Sequence, residues 1–284
     1  MITATISAFV DSLVAQWLID SLWATTLLLA LVMMLRRPVA HFFGSKVAYL
    51  LWAIPLARLI LPPVTKTIEI SASSRPEAPL AFLPVDAVGQ SAPALMQSAP
   101  AIAPSTDWVA IALTLWLCGA GVFFISQLAA YLQNRRELLA DATPIARRDN
   151  IQIVEIAGIS GPFAFGLFKR YIALPLGFER SFDPVERDLA LAHEIAHHRG
   201  GDIWANFAGL VMLSLHWFNP IAWLAWRAFR FDQEAACDAR VLTMRNDNER
   251  AAYARAIAKA ATGRTFVFAS RFTPRTRLAD RLKM

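Results

Sequence analysis

His193-Glu194-Ile195-Ala196-His197 reads H-E-x-x-H. On a helix, residues four apart share a face, one turn from each other. Two imidazoles so placed reach one Zn²⁺ at about 2.0–2.1 Å. Glu194 lies beside them as a carboxylate able to take a proton from an attacking water. The flanks supply the helix. Asp183 is a natural N-cap, Pro184 suits the first helical position, and Glu186 stands at the capping-box position. Leu189, Ala190, Leu191 and Ala192 lead into the motif, and Gly200-Gly201 ends it.

The motif needs a third protein ligand, because catalytic zinc sites pair three such ligands with one open position. A helix beginning at Pro220 is expected to run to about Leu242 and to carry Glu234 and, one turn on, Asp238. Read by themselves these are a solvated acidic pair. Downstream of H-E-x-x-H, Glu234 is the candidate third ligand, and Asp238 the carboxylate that fixes a ligating imidazole from behind. Arg227 and Arg230 are near enough in sequence to pair with either. Asp202 is placed to cap the helix after the glycine pair and is a second candidate outer carboxylate. Tyr253 is either a donor to a developing oxyanion or a core aromatic. His198 points about 100° round the helix from its neighbour and is expected exposed or behind the ligands. His216 reads as a packed interfacial histidine, and His41 falls in a turn between apolar stretches.

The rest of the chain places this motif at a membrane. The 284 residues are 56% hydrophobic, with a mean hydropathy of +0.41, high for a soluble domain. Three apolar stretches, about 14–35, 47–64 and 108–132, are candidate spans. No Lys or Arg precedes the first and Arg36-Arg37 follow it, a stop-transfer pattern rather than a cleaved signal. A Pro/Ala/Ser-rich outer loop is expected over 65–107. The expected division is a transmembrane region, 1–134, and a cytoplasmic zinc peptidase domain, 135–284. Arg36, Arg37, Lys46, Arg135, Arg136, Arg147 and Arg148 put the N-terminus outside and the motif in the cytoplasm. The net charge of +6 is explained by these flanks, not by nucleic acid. Cys118 and Cys237 form no disulfide framework and are expected reduced.

Between span and motif, Ile151–Ile156 is short, apolar and β-branched, a strand. Residues 163–168 and 171–174 are expected to form a hairpin. Phe163, Ala164 and Phe165 on its edge are candidate substrate contacts, since an extended peptide adds to a free sheet edge. Residues 203–226 are broken by Asn219-Pro220 and read as a helical hairpin, buried or dipping into the bilayer. Residues 248–261 make a last helix. The fold class is a mainly α membrane protein with an α+β gluzincin-like domain and a small sheet.

Taken together, these pieces resemble the BlaR/MecR-type membrane metallopeptidases, the antirepressor family of gluzincins. The resemblance rests on Leu50-Leu51-Trp52 through Arg58 to Pro62, Gly161-Pro162-Phe163-Ala164-Phe165-Gly166-Leu167, the H-E-x-x-H core with Asp202, Trp217-Phe218-Asn219-Pro220, and Glu234-Ala235-Ala236-Cys237-Asp238. It implies one Zn²⁺ per chain on His193, His197 and Glu234, with Glu194 as general base. It implies a multi-pass protein of a bacterial-type inner membrane that hydrolyses peptide bonds in signal transduction, ending in inactivation of a cytoplasmic repressor. The expected partners are a protein substrate such as a winged-helix repressor, and the lipid bilayer; a homodimer stays open. Receptor members continue into a fourth span and an extracellular penicillin-binding sensor; this sequence stops at Met284 before either, as a fragment or as a short member that senses something else, so a β-lactam signal is not carried over. Two rival readings are a quality-control protease of membrane proteins and a non-proteolytic scaffold with a structural metal.

Overall fold

A computed structural model describes residues 13–61, 108–159, 161–243 and 245–261. The helices α1 (Leu13–Phe43), α2 (Ser45–Leu50), α3 (Ala53–Ile60) and α4 (Trp108–Ala140) come first. Four strands follow: β1 (Thr143–Arg148), β2 (Ile151–Ile156), β3 (Phe163–Phe165) and β4 (Arg170–Pro175). The chain then builds α5 (Phe178–Ser181), α6 (Pro184–Arg199), α7 (Asp202–Leu215), α8 (Pro220–Leu242) and α9 (Asp247–Ala261). The architecture is mainly helical with one small sheet, as the sequence predicts. The expected outer loop and the residues after 261 lie outside the described residues.

Helices α1 and α4 are long and apolar enough to cross a bilayer. Both continue past the ends predicted from hydropathy. The stretch expected as the span 47–64 forms, in its described part, the two short helices α2 and α3. Pro55 has no N–H to give to the carbonyl of Leu51; Ile54 N takes that oxygen instead at 3.1 Å, and Trp52 N turns back to Tyr49 O at 3.2 Å.

The sheet has the order β1-β2-β4-β3. β2 and β4 run parallel, while β1 and β3 flank them antiparallel. Hydropathy misses β1 because all six of its residues are exposed. One face of the sheet packs Ile151, Ile153, Ile172 and Leu174 against Ala190 and Ile195 of α6. The other packs Val154, Phe165 and Tyr171 against Leu138 and Leu139 of α4.

Helix α6 starts as its sequence dictates. Asp183 accepts from Glu186 N at 2.9 Å, and Glu186 accepts from Asp183 N at 3.4 Å, closing the capping box behind Pro184; such a cap contributes about 1 kcal/mol. The α7–α8 hairpin breaks at Asn219-Pro220. Asn219 Oδ1 accepts from Ile221 N at 2.9 Å, and its amide donates to Thr26 Oγ1 of α1 at 2.9 Å.

One apolar cluster joins the ends of the chain. Leu29 and Val32 of α1 and Trp52 pack with Met212, Leu213, Trp226 and Phe229 of α7 and α8. At its polar border the buried Asp232 accepts from Trp52 Nε1 at 2.8 Å and pairs with the Arg36 guanidinium, which also donates to Ala228 O. The N-terminal helices and the motif-bearing helices therefore share a core.

Candidate metal centre

Helices α6, α8 and α9 bring His193, His197, Glu234, Asp238 and Tyr253 together. The hydrogen bonds fix both imidazole tautomers. Asp202 Oδ2 lies 2.7 Å from His197 Nδ1; a carboxylate only accepts, so this nitrogen carries the proton. The Tyr253 hydroxyl donates to Asp238 Oδ1 at 2.6 Å and so accepts from His193 Nδ1, also 2.6 Å away. In the neutral imidazoles both Nε2 atoms are thus left with lone pairs, and they face each other at 3.1 Å. The Glu234 carboxylate closes the triangle, with Oε2 3.6 Å from His193 Nε2 and Oε1 3.9 Å from His197 Nε2.

Three electron-pair donors aimed into one space repel one another unless a proton or a metal cation lies between them. Two ligands each about 2.0–2.1 Å from a tetrahedral ion are about 3.4 Å apart, which the observed separations bracket. The donor set therefore fits a divalent metal of zinc type. Cys237 Sγ also lies within 4.8 Å of both histidine ligand atoms. Its thiol is fully buried and donates to His193 O at 3.5 Å. Burial raises its pKa, but His193 and His197 outweigh burial and hold it below the ordinary thiol range, so Glu234 and Cys237 are both candidate third ligands beside the histidine pair.

Glu194 is buried, and its Oε2 accepts from the backbone N–H of Ala164 at 2.8 Å. This bond brings the edge strand β3 to the site. A strand residue presents its N–H and C=O to the same edge, so the Ala164 carbonyl also faces this side.

Other predicted residues take different places. Asp202 does not cap α7; Gly201, left-handed at φ 71°, stands at the cap, and the Asp202 carboxylate turns to His197 and Arg240 instead. Tyr253 is a buried residue on the Nδ1 side of His193, where its hydroxyl is engaged with His193 and Asp238. Burial, opposed by His193 and reinforced by Asp238, pushes its phenol above the ordinary range. His198 is buried rather than exposed, and its Nε2 meets Tyr171 O at 2.9 Å, tying α6 to β4. His216 is fully buried against Met212 O, as a packed histidine. Phe163 and Phe165 flank Ala164 on β3, with Phe165 buried. Arg230 Nη2 stands 3.9 Å from Glu234 Oε1.

Two contributors carry no local sequence signal. Arg240 donates to Asp202 Oδ2 at 2.9 Å and to Ala196 O at 3.0 Å. Tyr49 OH lies 3.2 Å from Asp202 Oδ1.

Comparison with known families identifies the chain's kin. The profile described as BlaR1 peptidase M56 matches residues 17–284, nearly the whole chain. The chain belongs to the BlaR1 peptidase M56 family. Among curated proteins, this M56 chain is similar to the methicillin resistance mecR1 protein of Staphylococcus aureus strain Mu50, 28% identical over 131 residues, 46% of this chain and 22% of that protein. It is also similar to the regulatory protein BlaR1 of Bacillus licheniformis, 25% identical over 143 residues, 45% of this chain and 24% of that protein. The match spans less than a quarter of the length of either relative. M56 membership implies a metal and, with α1 and α4, points to a membrane protein.

Proposed function

We propose that this M56 chain is a membrane-bound zinc metalloendopeptidase that acts in signal transduction by cleaving a cytoplasmic protein, a winged-helix transcriptional repressor being the substrate class the family resemblance favours. The observation that carries this reading is the convergence of His193 Nε2, His197 Nε2 and the Glu234 carboxylate beside a buried glutamate on a sheet edge.

Zinc held by those three side chains supplies Lewis acidity, polarising a carbonyl and lowering the pKa of water from 15.7 to about 7. The protein's own groups do the rest. Asp202 and the Tyr253–Asp238 pair hold the two imidazoles from behind, so their lone pairs stay aimed forward. Glu194 takes the proton of the attacking water and returns it to the leaving amine. Its anchor on Ala164 N sets its distance from the edge strand. An extended peptide aligned on β3 gives an N–H to the Ala164 carbonyl, which brings its scissile bond beside Glu194.

In this reading the N-terminus is outside, α1 enters, the α2–α3 segment returns, and α4 brings the peptidase residues into the cytoplasm. The Lys/Arg distribution supports that order. A cysteine placed at Ser181 in a background lacking Cys118 and Cys237 is expected to resist periplasmic labelling; periplasmic labelling would reverse the topology.

The direct test uses the full chain in detergent. One equivalent of zinc and chelator-sensitive cleavage of a co-expressed repressor, restored by zinc, are the expected results. Zinc binding with no proteolysis of any tested protein, and full reporter induction by Glu194→Gln, would instead favour the scaffold.

A further inference from the structure

We propose that Tyr49 is a positioning residue for the metal centre: acting through Asp202, it fixes the imidazole of His197, so the N-terminal membrane segment supplies part of the site. The proposal rests on the metal-site reading above.

The Asp202 carboxylate is 1% exposed, and its acceptor positions are taken from three directions. Oδ2 receives His197 Nδ1 at 2.7 Å and Arg240 Nη2 at 2.9 Å. Oδ1 receives Arg240 Nη2 at 3.2 Å and the Tyr49 hydroxyl at 3.2 Å. The phenol's direction is set in turn, because Gln233 Nε2 donates to its oxygen at 3.0 Å. Having accepted from Gln233, Tyr49 presents its own O–H to Asp202. The same Gln233 amide reaches Asp202 O at 3.2 Å. The chain of contacts is therefore Gln233 to Tyr49 to Asp202 to His197, and its second member comes from α2.

Position supports the assignment. Helix α2 is seated on α8, with Ser45 Oγ donating to Ala235 O at 3.1 Å and the Tyr49 ring 5.6 Å from that of Phe229. Arg240 alone constrains the carboxylate in one plane. Tyr49 adds a contact on the oxygen opposite His197, which resists rotation of the carboxylate about its Cβ–Cγ bond. A carboxylate directly behind a ligating histidine sets its orientation and basicity, and removing one typically costs about 10–100-fold in metal affinity or activity; Tyr49 stands one contact further out, on that carboxylate.

Tyr49→Phe removes the hydroxyl and keeps the ring against Phe229. In the detergent-solubilised full chain it is expected to weaken Zn²⁺ binding in chelator competition by up to about 10-fold, the lower end of what losing a direct partner of the ligand costs. The visible bands of the Co²⁺-loaded protein are expected to shift, and gel filtration to stay unchanged. A double-mutant cycle separates positioning from packing. If Tyr49 acts through Asp202, Tyr49→Phe costs nothing further in an Asp202→Ala background. Wild-type affinity and Co²⁺ spectrum in Tyr49→Phe, or full additivity with Asp202→Ala, would overturn the assignment while leaving the metal site intact. A wild-type chain that binds no zinc would overturn both readings.

Discussion

The backbone N–H of Ala164 and the Glu194 carboxylate are joined by a 2.8 Å hydrogen bond, so the candidate base and the candidate substrate edge hold each other in place. Glu194→Gln can keep that bond, because a glutamine carbonyl accepts from Ala164 as a carboxylate does. The variant is therefore expected to fold and to retain zinc. It cannot take up a proton, and turnover should fall by about 10²–10⁴-fold. Zinc content by elemental analysis, beside hydrolysis of dye-labelled casein, checks both halves; wild-type turnover would remove Glu194 from the reaction.

Glu234 and Cys237 compete for the role of third ligand, and substitution separates them. Glu234→Ala should lose most bound zinc, while Cys237→Ser should keep it. A buried serine donates to His193 O as the thiol does, so the packing change is small. Retained zinc in Glu234→Ala together with loss in Cys237→Ser would reassign the site to two histidines and a thiolate.

Metal binding should depend on pH in a definite direction. In the metal-free chain burial disfavours the His197 imidazolium, but the Asp202 hydrogen bond, Cys237 and Glu234 outweigh it and hold the group at about 9 against an ordinary 6.5. His193 is raised as well, the Cys237, Tyr253 and Asp238 contributions overcoming its burial. A proton on Nε2 excludes the metal, so zinc affinity should climb with pH up to about 9 and loading at pH 8 should release protons. Stability of the metal-free chain runs the other way. A raised folded-state pKa contributes fully below 6.5 and is lost as pH rises through about 9. Thermal melts at pH 6 and pH 9.5 should show the metal-free protein weaker at the higher pH and the zinc-loaded protein spared that loss.

The helix carrying the histidines was legible because its signals are local: Asp183, Pro184 and Glu186 act within one turn, and Asn219-Pro220 breaks the next hairpin just as locally. The hairpin of β3 and β4 was legible from its two apolar runs, although β3 stops at Phe165 and not at 168. What stayed hidden depends on distance along the chain. Tyr49 and Asp202 are 153 residues apart, and Arg240 and Asp202 are 38 apart, so no periodicity links them. His198 was expected either exposed or behind the ligands, because helical geometry knows only its own axis; the sheet laid over that face, which buries it, is a tertiary fact. Asp202 changed role for a backbone reason, since Gly201 took the cap and freed the carboxylate.

Gly200 leaves the space that the Arg240 guanidinium fills. Its φ of −76° suits any residue, but a Cβ there would meet Arg240 Nη1 at 1.4 Å. Gly200→Ala should push the guanidinium off Ala196 and Asp202, with a loss of about 1–3 kcal/mol as for other overpacked sites. Zinc affinity should weaken with it. Chemical denaturation with and without zinc measures both, and an unchanged midpoint would show that Arg240 has another place to go.

The pairing of Arg36 with Asp232 sets a clock on biosynthesis. The two residues are 196 positions apart, so at 5–20 residues per second the ribosome needs roughly 10–40 s to deliver the acid after the base. Throughout that interval α1 has no native counter-ion at its end and no α8 to pack against. The nascent helix must wait, held by lipid or by the insertion machinery, and the core closes only when the last third of the chain arrives. Ribosome-bound nascent chains truncated before and after Asp232 would differ sharply in protease resistance at α1.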